Sequence, residues 1–179
     1  MTLLAQKRAG VSREQVQRFV DIYSRPSRTW DDLPFLRERT KLPILLKGIV
    51  HPEDAARASE AGIDGIIVSN HGGRQVDGSI ATLDALIPIK RSVPPEFPVL
   101  VDSGIRTGAD VMKAMALGAS AVLLGRPYIW ALGVGGQDGV KQLLRSFLAD
   151  VDLTLALSGY TSFDEVDPSA LTDGSAWRT

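Results

Sequence analysis

The chain has 179 residues, 44% of them hydrophobic, with 20 basic and 21 acidic side chains, a formal charge of −1 and an isoelectric point near 6.1. That is enough apolar surface for one domain with a real core, and the near-neutral balance gives no electrostatic footprint for nucleic acid or an anionic membrane, so small-molecule partners are expected. Cysteine is absent, which excludes disulfides, thiolate metal sites and cysteine nucleophiles, and no metal site is expected. No apolar run nears the roughly 20 residues a membrane helix needs, and Met1 to Gly10 lacks the shape of a secretory signal; the cytoplasm is the expected compartment.

In chain order, residues 1–40 read as a helical lead-in: a helix over Ser12 to Tyr23, a polar turn at Ser24 to Ser27, and a short helix over Thr29 to Arg39. Its opening, Thr29-Trp30-Asp31-Asp32, looks like a cap followed by acidic first-turn residues. After Pro43 four short apolar runs recur, Ile44 to Lys47, Gly65 to Asn70, Val99 to Asp102 and Ala121 to Gly125. Each is predicted to be a strand buried on both faces. Helical patterns fill the gaps at Pro52 to Ala61, Thr82 to Arg91 and Thr107 to Leu117, with acidic starts and with Gly62 and Gly118 as stops. A long helix follows from Gln137 to Ser158.

The order β-α-β-α-β-α-β then helix implies parallel strands with right-handed crossovers. On that pattern alone a barrel segment and an open doubly wound sheet both remain possible. Val134-Gly135-Gly136-Gln137-Asp138-Gly139 follows a helix-like stretch, Tyr128 to Leu132, rather than a strand, so it reads as the loop entering the last helix and not as a dinucleotide loop. Residues 41–160 thus form one βα body, and 161–179 a polar tail expected to pack only in part.

The chemistry collects where the strands end. Ser69-Asn70-His71-Gly72-Gly73-Arg74-Gln75 empties from an apolar strand into a Gly-rich turn. An imidazole there can take a proton near neutral pH, and a guanidinium three residues on can clamp a carboxylate with two parallel hydrogen bonds. Lys47, Asp102-Ser103-Gly104-Ile105-Arg106 and Gly125-Arg126-Pro127 close the other strands. Two Gly-Arg turns about twenty residues apart suit a phosphate, whose oxygens meet backbone N–H groups at the glycines and charge at the arginines. His51, before Pro52 at a helix start, reads as structural. Taken singly, Lys47 is also an ordinary strand lysine, Ser69 a turn residue, Asp102 a turn cap and Arg74 a surface arginine.

This ordered set resembles the FMN-dependent α-hydroxy-acid oxidase and dehydrogenase family, over about Thr29 to Tyr160. The stretches Ser69 to Asp84, Asp102 to Leu117 and Gly125 to Tyr128 look most like its lactate oxidase and lactate 2-monooxygenase members. The resemblance implies an α/β fold, the C-terminal half of a (β/α)8 barrel with strands equivalent to five through eight; a whole barrel is typically about 250 residues. It implies FMN as cofactor, held by Lys47 on the N1 and O2 side of the flavin, by Ser69, Asp102, Ser103, Gly104 and Ile105, and by Arg106, Gly125 and Arg126 at the phosphate. It makes His71 the catalytic base and Arg74 the substrate's carboxylate clamp, the substrate being a small L-2-hydroxy acid. Ser103 stands where many family members have a second glycine.

In the family the pocket also takes tyrosines, an aspartate that orients the histidine and a second carboxylate-binding arginine from the first half of the barrel. Losing such an orienter typically costs orders of magnitude in rate, so little turnover is expected of this chain alone. Open strand edges lead to the further expectation of a homo-oligomer or of a complementary N-terminal half barrel as partner. The competing expectation is a non-catalytic half barrel that binds phosphate or FMN. A barrel of the IMP dehydrogenase type, with its similar turn, depends on a catalytic cysteine that this chain lacks.

Overall fold

The computed structural model describes residues 12–23 and 27–172. The expectations for Met1 to Gly10, for Ser24 to Pro26 of the polar turn and for the last seven residues of the tail lie outside them. The chain divides into two compact units, residues 1–41 and 42–179.

In the first unit, helix α1 (Arg13–Tyr23) opens on a reciprocal cap. The Ser12 hydroxyl accepts the Gln15 N–H at 3.1 Å, and Gln15 Oε1 accepts the Ser12 N–H at 2.8 Å. The segment expected as one short helix is two pieces. A capping box between Thr29 and Asp32 starts a 3-10 turn, Trp30–Asp32, and the proline in the first turn of α2 (Leu33–Arg37) begins the helix afresh.

The second unit is a four-stranded parallel sheet in the order β1 (Leu45–Ile49), β2 (Gly65–Val68), β3 (Val99–Val101) and β4 (Ala121–Val122). Helices α3 (Pro52–Glu60), α4 (Thr82–Ser92) and α5 (Gly108–Ala116) make the crossovers, and α6 (Arg126–Leu157) follows β4. Local chemistry sets these bounds. His51 Nδ1 accepts the Glu53 N–H at 3.3 Å and caps α3, the structural role its position suggested. Thr107 and Asp110 form a capping box on α5. Gly62 and Gly118, at φ +71° and +92°, turn the chain out of α3 and α5.

Strand register explains both the core and the site. Leu46, Ile66 and Val99 share one row and Val68, Val101 and Val122 another. On this face Ile66, Val68, Val99 and Val101 are completely buried, together with Ala55, Ala58, Leu86 and Ile89 of the helices. Side chains alternate along a strand, so the intervening row, Lys47, Ile67, Leu100 and Ala121, lies on the other face. There Ile67 and Leu100 are only half-buried, and Lys47 and Ala121 are exposed. The expectation of strands buried on both faces is corrected accordingly. Helices cover one face only, and the open face is the one a closed barrel turns inward.

Three boundaries also differ from expectation. Lys47 is inside β1 rather than at its end, because the strand continues past a register irregularity at Gly48. Strand β4 is only two residues long, and Gly125-Arg126-Pro127 opens a helix, with Gly125 as cap and the proline in its first turn. The expected loop at 134–139 shrinks to Gly135 and Gly136, the two residues without helical dihedrals inside α6. Gly136 at φ +56° and ψ −141° lets the helix break there with no intervening loop.

Part of the tail does pack. Two 3-10 turns, Phe163–Glu165 and Pro168–Ala170, bring Val166 onto Met112 and Ala116 of α5, with Phe163 and Leu171 around it.

Candidate active site

The cleft is built on the open face of the sheet and the loops at the C-terminal ends of its strands. Because Lys47, Ile67 and Leu100 share a row, Ser69 and Asp102, two residues further along their strands, face the same side as Lys47. The result is a compact polar node. Lys47 Nζ donates to Ser69 Oγ at 2.8 Å and pairs with Asp102 Oδ2 at 2.8 Å. Ser103 Oγ donates to the other carboxylate oxygen, Asp102 Oδ1, at 2.8 Å. Burial works to raise the Asp102 pKa, but hydrogen bonds from Lys47, Ser69 and Ser103 and the lysine's charge outweigh it and hold the carboxyl below its ordinary value. Asp102 therefore stays ionised and Lys47 stays paired.

The loop after β2 carries His71 in a 3-10 turn, His71–Gly73, in which His71, Gly72 and Gly73 all have left-handed dihedrals, φ +55°, +66° and +71°. The turn is fastened on several sides. The His71 N–H donates to Ser69 Oγ at 3.1 Å and the Gly72 N–H to Asn70 Oδ1 at 3.0 Å, while Asn70 Nδ2 donates to the Ile80 carbonyl at 3.2 Å. The imidazole lies over bare backbone: a Cβ on Gly48 would stand 2.8 Å from His71 Nε2. Arg74 donates from Nε to the His71 carbonyl at 3.1 Å, which orients its fork with respect to the imidazole. Arg74 is exposed and has no carboxylate partner among the described residues.

The loop after β3 is shaped by its own helix. Asp110 Oδ2 accepts the Arg106 and Thr107 N–H groups, each at 2.9 Å, and the Thr107 hydroxyl at 3.0 Å. Burial raises the Asp110 pKa, and those bonds together with Lys113 more than offset it, so this carboxyl too sits low. The Ile105 side chain is buried, and only its carbonyl serves the site, accepting Arg106 Nη1 at 3.0 Å. The Arg106 guanidinium lies 5.4 Å from the centre of the Trp130 ring. Arg126, from the start of α6, reaches back to Gly72, where a Cβ would stand 3.2 Å from its Nη2.

Of the residues expected from sequence, all but Ser69 line this one cleft; Ser69 is 1% exposed and supports it through Lys47 and His71. Sequence reading missed Leu123 and Leu124, which form an apolar wall, and the supporting Gly48, Asn70 and Thr82. Leu123 continues the row of Ala121 and was findable from the period of two. Gly48 gave no signal, because a glycine inside an apolar strand does not disclose which side chain crosses it.

The charges decide what the cleft accepts. It gathers Lys47, Arg74, Arg106, Arg126 and His71 against the single carboxylate of Asp102, which Lys47 already neutralises. Arg106 and Arg126 have no carboxylate partners among the described residues, and open space lies where a Cβ on Gly104 or Gly125 would stand. An anionic group can therefore reach backbone N–H donors between two guanidinium ions. Such a donor set fits a phosphate-bearing cofactor such as FMN.

The chain is similar to known proteins in sequence and in fold. The FMN-dependent dehydrogenase family matches residues 2–173. The L-lactate oxidase of Nostoc sp. is 49% identical over 146 residues, 82% of this chain and 40% of that protein. The 2-hydroxyacid oxidase of Dictyostelium discoideum is 49% identical over 148 residues, 83% of this chain and 38% of that protein. A mandelate oxidase variant solved with a monooxide FMN adduct is 50% identical and superposes with a TM-score of 0.75, covering 78% of this chain and 44% of that one. The chain thus spans about 40% of the length of the relatives it matches, and its parallel sheet is a segment of their FMN-binding (β/α)8 barrel fold, as the resemblance implied. This chain belongs to the FMN-dependent dehydrogenase family.

Proposed function

We propose that this chain supplies the base, the carboxylate clamp and most of the cofactor site for FMN-dependent oxidation of a small L-2-hydroxy acid, lactate-like in size, to the 2-oxo acid. One observation carries the reading: His71, Arg74, Arg106 and Arg126 share a cleft in which, among the described residues, Asp102 is the one carboxylate and is already neutralised by Lys47.

Each residue then has a definite task. Arg74 binds the substrate carboxylate through its outer nitrogens, its Nε being held by the His71 carbonyl. His71, in the same turn, receives the proton lost as the hydroxyl-bearing carbon is oxidised. FMN, when bound, would supply the two-electron sink for that oxidation. Lys47 would hold positive charge beside the bound cofactor, and Asp102 keeps that ammonium in place. Arg106 and Arg126 neutralise the phosphate. The leucines at 123 and 124 exclude water from one wall of the cleft.

A full catalytic pocket needs more than this. Among the described residues no carboxylate pairs with the His71 ring, and an imidazolium needs such a partner to form readily and in a fixed orientation. Among the described residues β1 and β4 are the end strands of the sheet, and with the half-buried to exposed row on its second face this suits a complementary half barrel that brings the orienting groups. The missing carboxylate also favours a second reading, a half barrel that binds FMN or phosphate without turnover.

Fluorescence titration of FMN with the 179-residue chain tests the first layer. Saturable quenching, weakened at least tenfold in Arg106→Ala, is the expected result, and absence of quenching would remove the cofactor site from this chain. Adding L-lactate or glycolate to the FMN-loaded chain with a supplied N-terminal half separates the two readings. Bleaching of the oxidised flavin supports oxidation, and persistent yellow colour with every 2-hydroxy acid supports the binding role.

A further inference from the structure

Among the described residues only His71 and Ser103 adopt left-handed dihedrals without being glycine, at φ +55° and +70°. Such a backbone is strained for a residue with a side chain and persists when its surroundings over-determine it. The two are not independent. The Gly72 N–H, in the peptide that follows His71, is shared between Asn70 Oδ1 at 3.0 Å and, across 31 residues of sequence, Ser103 Oγ at 3.1 Å.

We propose that Ser103 is a positioning residue for His71, a clip that locks the histidine turn to the Asp102 and Lys47 node. Its hydroxyl has one hydrogen and spends it on Asp102 Oδ1, so its lone pairs face the Gly72 amide. Ser69 holds the preceding peptide in the same way, accepting the His71 N–H while it is tied to Lys47. Two consecutive amides of the histidine turn thus rest on two serine hydroxyls gathered around one carboxylate. The left-handed dihedral at Ser103 makes the reach possible, and the Thr82 hydroxyl, 4% exposed, holds that peptide by donating to the Ser103 carbonyl at 3.0 Å. A glycine at 103 would adopt the same backbone more easily and would have no hydroxyl to offer. The strain is therefore tied to the clip.

The inference deepens the reading of His71 as base, and its test is independent of turnover. The chain has two histidines, so in NMR spectra of the whole chain His51 serves as an internal reference for the His71 ring. Ser103→Gly relieves the backbone and removes the hydroxyl, while Ser103→Ala removes the hydroxyl and keeps the side-chain stub. In both, the Gly72 amide loses one of its two acceptors, Asn70 Oδ1 remaining, and is expected to exchange up to about fivefold faster, with the His71 ring signals shifting while those of His51 stay still. Ser103→Gly is expected to be at least as stable as the parent, so loss of folding in the alanine variant would leave the decisive comparison intact. Unchanged Gly72 exchange and unmoved His71 signals in Ser103→Gly would overturn the proposal. Loosening of the turn without any flavin bleaching in the complemented chain would count against the His71 base and leave the clip standing.

Discussion

The loops after β2 and β3 both carry side chains of the candidate site, yet they are fixed by different means. The β3 loop is held from within: Asp110, four residues past Arg106, gathers the amides that aim the arginine turn and at the same time caps α5. The β2 loop has bonds of its own, from the His71 and Gly72 amides to Ser69 and Asn70 and from Asn70 to Ile80, but it also leans on its neighbours, on Ser103 of the next strand's loop and on the bare backbone at Gly48 of the preceding strand. A loop fixed by its own helix start forms wherever that helix forms. A loop fixed by its neighbours needs both neighbouring strands in register. The anion-binding end is therefore the more self-sufficient part of this site, and the histidine end the more easily misplaced.

That contrast is broken most strongly at Gly48. Alanine there meets two penalties, a left-handed φ of +100° and a methyl group 2.8 Å from His71 Nε2. Together they are expected to cost about 2 kcal/mol and to push the imidazole off the sheet. Denaturant unfolding measures the first effect and the His71 ring signals the second. FMN affinity should change little, because Arg106 and Arg126 do not touch Gly48; an equal loss of FMN binding would mean that the two loops are not separable. Thr107→Ala is the converse and smaller perturbation. It removes a capping hydroxyl worth about 1 kcal/mol and frees the Arg106 turn, so FMN binding is expected to weaken while the His71 signals hold still.

The same contrast governs what could be read in the sequence. Thr107 and Asp110 stand three residues apart before an apolar run, and the arginine turn follows from that local signature. That His71, Arg74, Arg106 and Arg126 would gather at one end of the strands was legible because their motif strings close successive strands, and the parallel βα order was legible from alternating strands and Gly-stopped helices. What escaped depended on register. Nothing local reveals that Gly48 lies under the His71 ring or that Ser103 reaches Gly72. Strand burial failed for a related reason. The runs Ile66 to Val68 and Val99 to Val101 are apolar throughout, as strands covered on both faces are, while in this chain helices cover only one of those faces. The break at Gly135 and Gly136 was visible as a glycine pair, but a pair that interrupts one helix and a loop that joins two elements look alike in sequence.

The mildest perturbation is the proton. Asp102, at the node that braces the histidine turn, and Asp110, which caps the arginine turn, both have carboxyl pKa values below their ordinary one. A carboxyl lowered by folding binds fewer protons in the folded than in the unfolded chain, so its contribution is fully present above the unfolded value, about 3.9, and is lost as pH falls through the folded value. Stability should accordingly be insensitive to these groups at neutral pH and decline in acid. Glu165 and Asp167, likewise lowered by bonds to Thr161 and Ser169, shift the decline in the same direction without touching the site. Asparagine substitutions separate the contributions: unfolding curves against pH should flatten in acid for both Asp102→Asn and Asp110→Asn. The two should differ in what moves first. On acidification of the parent chain, loss of the Asp102 charge is expected to disturb His71, and loss of the Asp110 charge to disturb the Arg106 and Thr107 amides, each followed by its own NMR signals. A single concerted change in both sets, in the parent and in either variant, would mean that one titration holds both loops and that the difference between local and distant fastening has no energetic meaning.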